Sequence, residues 1–227
     1  MIKKLVVLTG AGISAESGLK TFRDSDGLWE GHNVMEVATP EAFAKNPKLV
    51  LEFYNQRRKQ LLTVSPNKAH RNLAKLENDF DVEIITQNVD NLHEAAGSSK
   101  ITHLHGELLK VRSSLHENLV LDWKKDLVIG DLAEDNSQLR PHIVWFGEMV
   151  PMLDKAIEIT KNADILIIIG TSMQVYPAAS LIDYIKADTP IYFIDPKPAV
   201  FEHQFNNLTI IKDVASSGTD TLIQLLC

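Results

Sequence analysis

Short, mostly apolar runs recur along the chain, and longer stretches between them alternate apolar and polar residues with a helical period. Such short runs are typical of strands that are buried on both faces of a parallel sheet. The predicted strands are Leu5–Leu8, Val82–Thr86, Ile165–Ile169 and Ile191–Ile194, with weaker candidates at Ile101–Leu104 and Leu208–Ile211. The predicted helices are Pro47–Leu62, Asn67–Glu77, Met152–Lys161, Ala178–Ile185 and Thr219–Leu226. This alternation predicts an α/β fold with a Rossmann-like, doubly wound parallel sheet.

Two segments interrupt this alternation. Residues 107–148 contain strand-like stretches and a polar stretch around 130–138, which predicts a small β-rich insert. Residues 24–78 separate the first strand from the next strong one and predict a cofactor loop with a helical insert. The Rossmann-like core then comprises approximately residues 1–23, 79–106 and 149–227 of a single catalytic domain.

Composition narrows the class of protein. The 227 residues are 44% hydrophobic and 23% charged, the balance of an ordinary globular protein. The formal net charge of -7 argues against a nucleic-acid partner, because phosphates would be repelled. The one cysteine, Cys227, excludes an intramolecular disulfide and a zinc site of four thiolates. No apolar stretch reaches the roughly 18–20 residues needed to span a membrane, so we expect a cytoplasmic protein, and a monomer.

The first predicted strand leads directly into a glycine-rich turn. Gly10, Gly12 and Ala15 fit the G-x-G-x-x-G/A pattern, in which glycines permit positive φ and a close approach to a pyrophosphate. The N-terminus of a following helix would supply N–H groups to the phosphates. A simple turn is an equally good interpretation of this loop alone. The acidic residue expected about 20 residues later is missing, and Phe22-Arg23 stands in a loop-like stretch there, so we expect an inserted segment to fold over the nucleotide.

Polar side chains follow several predicted strands. Gln87, Asn88 and Asp90 follow Val82–Thr86, and His105 follows a weaker strand. The carboxyl ends of parallel strands form the ligand crevice of α/β sheets. Amides and a carboxylate suit ribose hydroxyls and a carboxamide, and histidine exchanges a proton near neutral pH. The alternatives are an Asx-type turn for the first three residues and a surface or capping role for the histidine.

Five motifs between residues 10 and 172 resemble, in the same order, those of the sirtuin family. They are Gly10-Ala11-Gly12-Ile13-Ser14-Ala15-Glu16-Ser17-Gly18-Leu19 with Thr21-Phe22-Arg23, Thr86-Gln87-Asn88-Val89-Asp90-Asn91-Leu92-His93, Leu104-His105-Gly106, Val144-Trp145-Phe146-Gly147-Glu148 and Gly170-Thr171-Ser172. The resemblance implies an NAD-dependent protein-lysine deacylase that consumes NAD and releases nicotinamide and O-acyl-ADP-ribose. Its partners would be acyl-lysine side chains of proteins.

The resemblance also implies a role for each matching residue. In sirtuins the histidine that matches His105 is the general base, which activates a ribose hydroxyl after the acyl oxygen has displaced nicotinamide, and Asn88 is the second catalytic residue. Asn88 and Asp90 belong to the nicotinamide pocket, and Phe22 and Arg23 to a lid. Many sirtuins carry asparagine where this chain has Asp195. The cofactor-binding residues implied are Gly10, Ala11, Gly12, Ser14, Ala15, Thr21, Phe22, Arg23, Trp29, Gln87, Asn88, Val89, Asp90, Gly170, Thr171, Ser172, Asp195 and Ala215.

Tyr54 and Arg57 lie three residues apart in a predicted helix, hence on one face. An amphipathic helix with a solvated basic face would show the same pattern. The stretch resembles sirtuins of the bacterial class III, desuccinylase-like type, in which this pair reads an acidic acyl chain. We therefore expect succinyl-lysine and malonyl-lysine to be accepted beside acetyl-lysine. The substrate-binding residues implied are Tyr54, Arg57, Val144, Trp145, Phe146 and Gly147, although Trp145 and Phe146 are also candidates for core aromatics.

The sequence departs from most sirtuins in the small insert, where they carry two cysteine pairs that bind zinc. Here the insert has no cysteine, and His116 with scattered acidic residues lacks the spacing of a tetrahedral site. We predict no structural metal. Apolar packing would then hold the insert together, and the candidate residues are Leu119, Val120, Leu121, Trp123, Leu127, Val128 and Ile129.

Other functions fit parts of the pattern. An NAD glycohydrolase or a protein ADP-ribosyltransferase would share the first chemical steps and most motifs. A non-enzymatic NAD- or ADP-ribose-binding module would not require His105 together with Asn88 and Asp90. A hydride-transferring dehydrogenase fits the glycine loop but not the other motifs.

Overall fold

The structure is a computed structural model that describes residues 2–20, 32–198, 205 and 207–226, and the backbone of residues 28–29. The strands are β1 (Lys4–Thr9), β2 (Leu28–Trp29), β3 (His32–Asn33), β4 (Asp81–Thr86), β5 (Ile101–His103), β6 (Gly106–Ser113), β7 (Val120–Asp122), β8 (Leu139–Ile143), β9 (Ile165–Ile169), β10 (Ile191–Ile194) and β11 (Leu208–Ile211). The α-helices are α1 (Val34–Val37), α2 (Pro40–Lys45), α3 (Pro47–Leu61), α4 (Lys68–Leu76), α5 (Leu92–Ala96), α6 (Leu153–Lys161) and α7 (Ala215–Leu226). Short 3₁₀ helices cover Ala11–Ile13, Ala15–Ser17 and Ala178–Tyr184.

Six parallel strands form the large sheet in the order β11-β10-β9-β1-β4-β5. All six strands predicted from apolar runs are present. The chain first builds outward from β1 to β4 and β5, then returns to the other side of β1 with β9. The order of the strands therefore reverses between β1 and β9, which is where doubly wound sheets bind their ligands.

Helices cover both faces of the large sheet, as predicted. On one face, α4 and α7 bury a core that includes Leu73 and Leu222 against β1, β4 and β9. On the other face, α6 and the 3₁₀ helix Ala178–Tyr184 bury Ala156 and Leu181. Burial of the strands on both faces explains why they appear in the sequence as apolar runs rather than as alternating patterns.

In the helical insert between β3 and β4, side chains cap the starts of α2 and α3. The Thr39 hydroxyl accepts a hydrogen bond from the N–H of Ala42, and the Asn46 side chain accepts one from Leu49. Pro40 and Pro47 follow these caps at the first helical position, where the missing N–H costs nothing. The caps set the start of α3, whose predicted range, Pro47–Leu62, differs by one residue at its end.

The small insert is an antiparallel sheet in the order β7-β6-β8, and it rests on α3. Its core joins Leu51 of α3 to Val111, Leu127 and Leu139. The Asn55 side chain both accepts from the N–H and donates to the carbonyl of Leu127, at 2.8 and 3.0 Å. Arg58, 1% exposed, donates from Nε to the carbonyl of Leu108 at 3.1 Å.

The predicted apolar packing of the insert is wrong for three of its seven residues, and three others are half-buried. Leu127 is buried, but Leu121, Val128 and Ile129 are 42%, 53% and 56% exposed. β7 is an edge strand, and the segment after it runs over the surface, so these side chains have no second layer to pack against. The sequence analysis also missed β8, in which Pro141 disfavours a strand assignment.

The glycine loop differs from its prediction as well. Two 3₁₀ turns follow β1 instead of an α-helix. At the other end of the chain, α7 starts four residues earlier than predicted, at Ala215 rather than Thr219. Within the described residues, no helix is long and apolar enough to cross a membrane.

Candidate active site

The predicted site residues gather at the carboxyl edge of the large sheet. Thr9, Thr86 and Ile169 are paired in register at the ends of β1, β4 and β9. Each strand end is followed by one of the motifs singled out in the sequence, namely Gly10–Ser14, Gln87–Asp90 and Gly170–Ser172. The parallel register alone brings the three motifs to one side of the sheet.

Gly10 and Gly12 pack directly against Gly170. The Gly10 and Gly12 N–H groups donate to the carbonyls of Ile169 and Gly170, at 3.0 and 2.8 Å. A Cβ on Gly12 would lie 2.6 Å from Gly170 Cα, and one on Gly10 would lie 2.8 Å from the Gly170 carbonyl oxygen. Gly170 has positive φ, +62°, whereas neither Gly10 nor Gly12 does.

The interpretation of these glycines therefore needs correction. They do not provide positive φ, and they allow two loops to touch at the point where the strand order reverses. The predicted α-helix after the loop is also absent, because a 3₁₀ turn replaces it, and the N–H groups of Gly10 and Gly12 donate to protein carbonyls.

A buried polar cluster joins the glycine loop to the segment after β4. Ser14 Oγ donates to Asp90 Oδ2 at 2.9 Å, and Asn88 Nδ2 donates to the Gly10 carbonyl at 3.1 Å and to Ser14 Oγ at 3.2 Å. Asp90 Oδ1 also accepts from the N–H of Leu92, at the start of α5. Burial raises the pKa of Asp90, although hydrogen bonds from Leu92 and Ser14 partly oppose this. The cluster thus fixes a carboxyl and an amide side by side.

His105 is oriented by the same segment. Its Nδ1 lies 2.9 Å from the carbonyl oxygen of Gln87, and since a carbonyl only accepts, Nδ1 carries the hydrogen. In the neutral ring Nε2 is then the nitrogen that accepts a proton. Burial lowers the pKa of His105 below its usual 6.5, and the carbonyl of Gln87 partly offsets this. The Gln87 side chain donates to Thr171 Oγ1 at 3.2 Å, which ties the segment to the loop after β9.

His103 is held differently from its neighbour. Its Nδ1 lies 3.1 Å from the carbonyl of Asn88, and its Nε2 lies 2.7 Å from Glu94 Oε1. Burial lowers the pKa of His103, but the hydrogen bond and charge of Glu94 outweigh it, so the pKa is raised. A ring paired in this way suits a structural role beside His105.

A chain of buried hydroxyl groups beneath the site was missed in the sequence. Thr9 Oγ1 donates to Thr86 Oγ1 at 2.8 Å and lies 3.1 Å from Nε2 of His93. Thr86 Oγ1 in turn accepts from the N–H of Asn88 at 3.0 Å. A threonine at the end of each of two apolar strands was the available signal, because a β-branched hydroxyl there must find a partner inside the protein.

The predicted acyl-reading residues lie where α3 meets the segment after β8. Tyr54 is fully buried, and its hydroxyl oxygen accepts a hydrogen bond from Trp145 Nε1 at 2.9 Å. Burial raises the pKa of Tyr54, so the phenol stays protonated. The Arg57 guanidinium lies 5.7 Å from the centre of the Phe53 ring. Of the two aromatic candidates for the core, Trp145 is buried and Phe146 is 47% exposed.

A salt-bridge cluster braces Trp145. The backbone N–H of Trp145 donates to Glu148 Oε2 at 2.8 Å. Arg140 contacts both carboxylate oxygens of Glu148, at 2.7 and 3.0 Å. The Arg140 guanidinium lies 3.4 Å from the centre of the Trp145 ring. Hydrogen bonds and charges from Arg140 and Arg112 lower the pKa of Glu148 against the opposing effect of burial. Val144, which precedes Trp145, donates its backbone N–H to the carbonyl of His105 at 2.9 Å. This bond links the segment after β8 to the histidine.

Six further predicted site residues fall into two groups, two that the structure describes and four that it does not describe fully. Asp195 is buried after β10, and its Oδ1 accepts from the N–H of Lys197. Ala215 is buried at the start of α7, where the next residue, Ser216, donates its N–H to Glu16 of the glycine loop at 2.8 Å. Outside the described residues lie Thr21, Phe22 and Arg23, together with the side chain of Trp29.

At its outer end, the insert contains a second polar network. Ser113 Oγ contacts Asp135 Oδ2 at 2.5 Å and Ser137 Oγ at 2.8 Å, and it accepts from the N–H groups of Leu115 and His116. Hydrogen bonds from Ser113 and Ser137 lower the pKa of Asp135 to about 2. In the part of the chain that the structure describes, no group of three or more histidine, cysteine or acidic side chains is arranged to hold a metal ion.

Comparison with known proteins bears on the whole chain. The sequence profile of the Sir2 family matches residues 10–177. A Helicobacter pylori protein named NAD-dependent protein deacylase is 61% identical over 225 residues, which cover 99% of this chain and 98% of the relative. The sequence similarity thus extends through the glycine loop, the insert and the C-terminal strands.

Solved structures share the fold. A Sir2 homologue in complex with NAD superposes with a TM-score of 0.87 at 40% identity, covering 99% of this chain and 90% of that one. A Sir2 protein bound to an acetylated peptide gives a TM-score of 0.80 at 28% identity, covering 99% and 93%. With a family profile matched from the glycine loop to residue 177 and a relative aligned along nearly its whole length, the chain belongs to the Sir2 family, the sirtuins.

Proposed function

We propose that this protein is an NAD-dependent protein-lysine deacylase that releases nicotinamide and O-acyl-ADP-ribose. The observation that carries the proposal is the contact between His105 Nδ1 and the carbonyl of Gln87 at 2.9 Å. It fixes the tautomer, so that the neutral ring can take a proton at Nε2. Binding a nucleotide without chemistry would not require a histidine held in this way.

The donor set at the carboxyl edge suits NAD. Ser14, Asn88 and Asp90 form one hydrogen-bonded cluster there, and Gln87 and Thr171 form a second pair. Such amide, carboxyl and hydroxyl groups pair well with ribose hydroxyls and a carboxamide. When bound, NAD supplies the ribosyl carbon that accepts the acyl oxygen as nicotinamide leaves. Asn88 and Asp90 would hold the nicotinamide side, and Gly170, Thr171 and Ser172 the adenosine side.

The chain's own residues would then perform two tasks. His105 would take the proton from a ribose hydroxyl at Nε2, because Nδ1 is committed to Gln87. Asn88, buried and donating to Gly10 and Ser14, would orient the reacting groups from the carboxyl end of the neighbouring strand β4. Such positioning of a base and its partner is worth several orders of magnitude in rate.

One incubation tests the reaction class. The protein is incubated with NAD and with acetyl-, succinyl- and longer acyl-lysine peptides, and the products are identified by mass spectrometry. Deacylated peptide and O-acyl-ADP-ribose are expected, and His105→Ala should lower their formation at least about 10²-fold. Free ADP-ribose alone would indicate an NAD glycohydrolase, and ADP-ribosylated peptide a transferase; either result would refute the proposal.

The pH dependence gives a second test of the base. His105 acts when it is neutral, so activity falls as the pH drops through its pKa. Because burial lowers that pKa, the acid limb of kcat/KM should lie below pH 6.5. An acid limb above 6.5 would argue against His105 as the titrating base.

We further propose that the enzyme accepts succinyl-lysine and malonyl-lysine beside acetyl-lysine, an acyl preference set by Tyr54 and Arg57. Arg57 can pair a carboxylate with two parallel N–H groups, and the protonated Tyr54 can donate a hydrogen bond to the same carboxylate. Arg57→Met should lower the ratio of desuccinylation to deacetylation at least about tenfold. Lys59→Met is the matched control, since Lys59 lies two residues away on α3 and pairs with Asp126 at 2.9 Å. An unchanged ratio in Arg57→Met would refute the acyl preference while leaving deacylation intact.

Localisation and assembly complete the proposal. We infer a cytoplasmic monomer without a nucleic-acid partner, which the net charge of -7 supports. Light scattering of the purified protein would test the monomer, and a particle of twice the chain's 25.4 kDa would refute it.

A further inference from the structure

The indole of Trp145 is hydrogen-bonded to the hydroxyl of Tyr54. Nε1 of Trp145 lies 2.9 Å from the Tyr54 hydroxyl oxygen, and both side chains are at most 2% exposed. An indole N–H can only donate, so the tyrosine oxygen is the acceptor. The hydroxyl hydrogen must therefore point away from Trp145.

The indole itself has little freedom to move. Arg140 lies over one face at 3.4 Å from the ring centre, and Phe43 packs at 5.3 Å between ring centres. The backbone N–H of the same residue is held by Glu148, which also pairs with Arg140. Backbone and ring are thus fixed by one cluster, and the N–H direction is fixed with them.

A donor that is held in place affects the hydroxyl in two ways. It sets the position of the oxygen, and it makes the O–H a stronger donor, because hydrogen bonds in a chain polarise one another. Both effects matter for a carboxylate ligand, which accepts hydrogen bonds and is desolvated on binding. Neither matters for an acetyl group, whose methyl end accepts none.

We propose that Trp145 is a specificity-determining positioning residue, which orients the Tyr54 hydroxyl toward an acidic acyl chain through its indole N–H. The inference rests on the proposed acyl preference. It makes the pair of Tyr54 and Arg57 a triad, in which one member never touches the substrate's carboxylate.

Trp145→Phe tests the inference, because phenylalanine keeps an aromatic ring under Arg140 and removes the N–H. The ratio of kcat/KM for succinyl-lysine to that for acetyl-lysine peptide should fall about tenfold, chiefly through KM. Tyr54→Phe should lower the ratio by a similar factor. In the Tyr54→Phe background, Trp145→Phe should add less than about twofold, since its acceptor is already gone.

Phe43→Leu is the matched control for packing. It perturbs the packing of the same indole without removing the hydrogen bond, so the thermal midpoint should fall while the ratio stays within about twofold. If the ratio falls in Phe43→Leu as it does in Trp145→Phe, or if the two losses multiply in the double variant, the inference is overturned.

A spectroscopic measurement on the unmodified protein covers the case in which Trp145→Phe does not fold. The chain has three tryptophans, so the Trp145 indole ¹⁵N–H signal can be assigned with Trp29→Phe and Trp123→Phe. A succinyl-lysine peptide should shift this signal further downfield than an acetyl-lysine peptide does, and equal shifts would overturn the inference. A protein that responds to Arg57→Met but not to Trp145→Phe refutes this inference alone, whereas one that responds to neither refutes the acyl preference as well.

Discussion

The glycine contacts at the carboxyl edge of the large sheet differ in kind from the polar networks of the small antiparallel insert. At the edge, backbone touches backbone, and Gly12 and Gly170 leave no room for a Cβ. In the insert, side chains join separate segments. Glu148 pairs with Arg112 of β6 and Arg140 of β8, and Ser113 of β6 contacts Asp135. The glycine contacts therefore depend on strand register, whereas these contacts of the insert depend on hydrogen-bonded side chains.

Gly170→Ala should give the largest effect. The added Cβ would lie 2.4 Å from the Ile13 nitrogen, and φ is +62°, so both contact and conformation oppose it. We expect a loss of about 3–5 kcal/mol in the free energy of unfolding, measured in urea. Gly130→Ala in the insert is the control, since its φ is +98° but nothing lies within 4 Å, and it should cost about 1 kcal/mol. Equal losses of stability in the two variants would contradict this difference between the sheet edge and the insert.

Glu148→Gln should come next, because it keeps the shape of the side chain and removes the charge that two arginines share. We expect a loss of about 2–3 kcal/mol in chemical unfolding, since the Arg140 side chain is only 10% exposed. Glu117, with 70% side-chain exposure, lies 3.9 Å from Arg112, and Glu117→Gln should cost less than about 0.5 kcal/mol. A small effect at Glu148 would show that packing, and not charge, holds the insert.

Ser113→Ala removes one hydroxyl that contacts four groups at the outer end of the insert. The expected loss in the free energy of unfolding is about 1–2 kcal/mol. Ser99→Ala is its control, because the Ser99 hydroxyl bonds Glu77 on the exposed surface, and it should stay within about 0.5 kcal/mol. Elemental analysis is a further check: one zinc per protein would indicate that a metal, and not this network, stabilises the outer end of the insert.

Asp135→Asn should give the smallest effect, and it concerns acid stability. The folded pKa of about 2 lies below the ordinary value of 3.8, so the carboxylate stabilises the fold above that value and loses this contribution as the pH falls from about 4 to 2. The thermal midpoint of the variant should therefore depend less on pH across this window than that of the unmodified protein. Parallel curves for the two proteins would contradict this assignment.

The large sheet could be predicted from the sequence because its strands are buried on both faces. Ile165–Ile169 and Ile191–Ile194 are continuous apolar runs, and the predicted bounds equal the observed ones. The insert was harder, since its edge strand β7 is largely exposed and β8 contains Pro141. The exposed Val128 and Ile129 look like core residues in a sequence, and only the three-dimensional layer order shows that nothing covers them.

The candidate site was predictable in its residues but not in its contacts. Strand ends and family motifs placed Gln87, Asn88 and His105 together, because the carboxyl ends of parallel strands meet at one edge of the sheet. The contact between Gly12 and Gly170, the chain from Thr9 through Thr86, and the bond between Trp145 and Tyr54 join residues far apart in the sequence. Pairs of this kind depend on tertiary distances that no local pattern encodes.

Because α3 both packs against the insert and carries the proposed acyl-reading pair, we expect the order of the pair to depend on the insert. Asn55 is bonded to Leu127, and Arg58 to Leu108, within a turn of Tyr54. If the insert opened transiently, α3 would lose these partners, so the amide hydrogens of α3 and β6 should exchange with solvent as one cooperative unit. A molecule with its insert open would then also be one without an ordered acyl pocket, even while the glycine contacts of the large sheet remain closed.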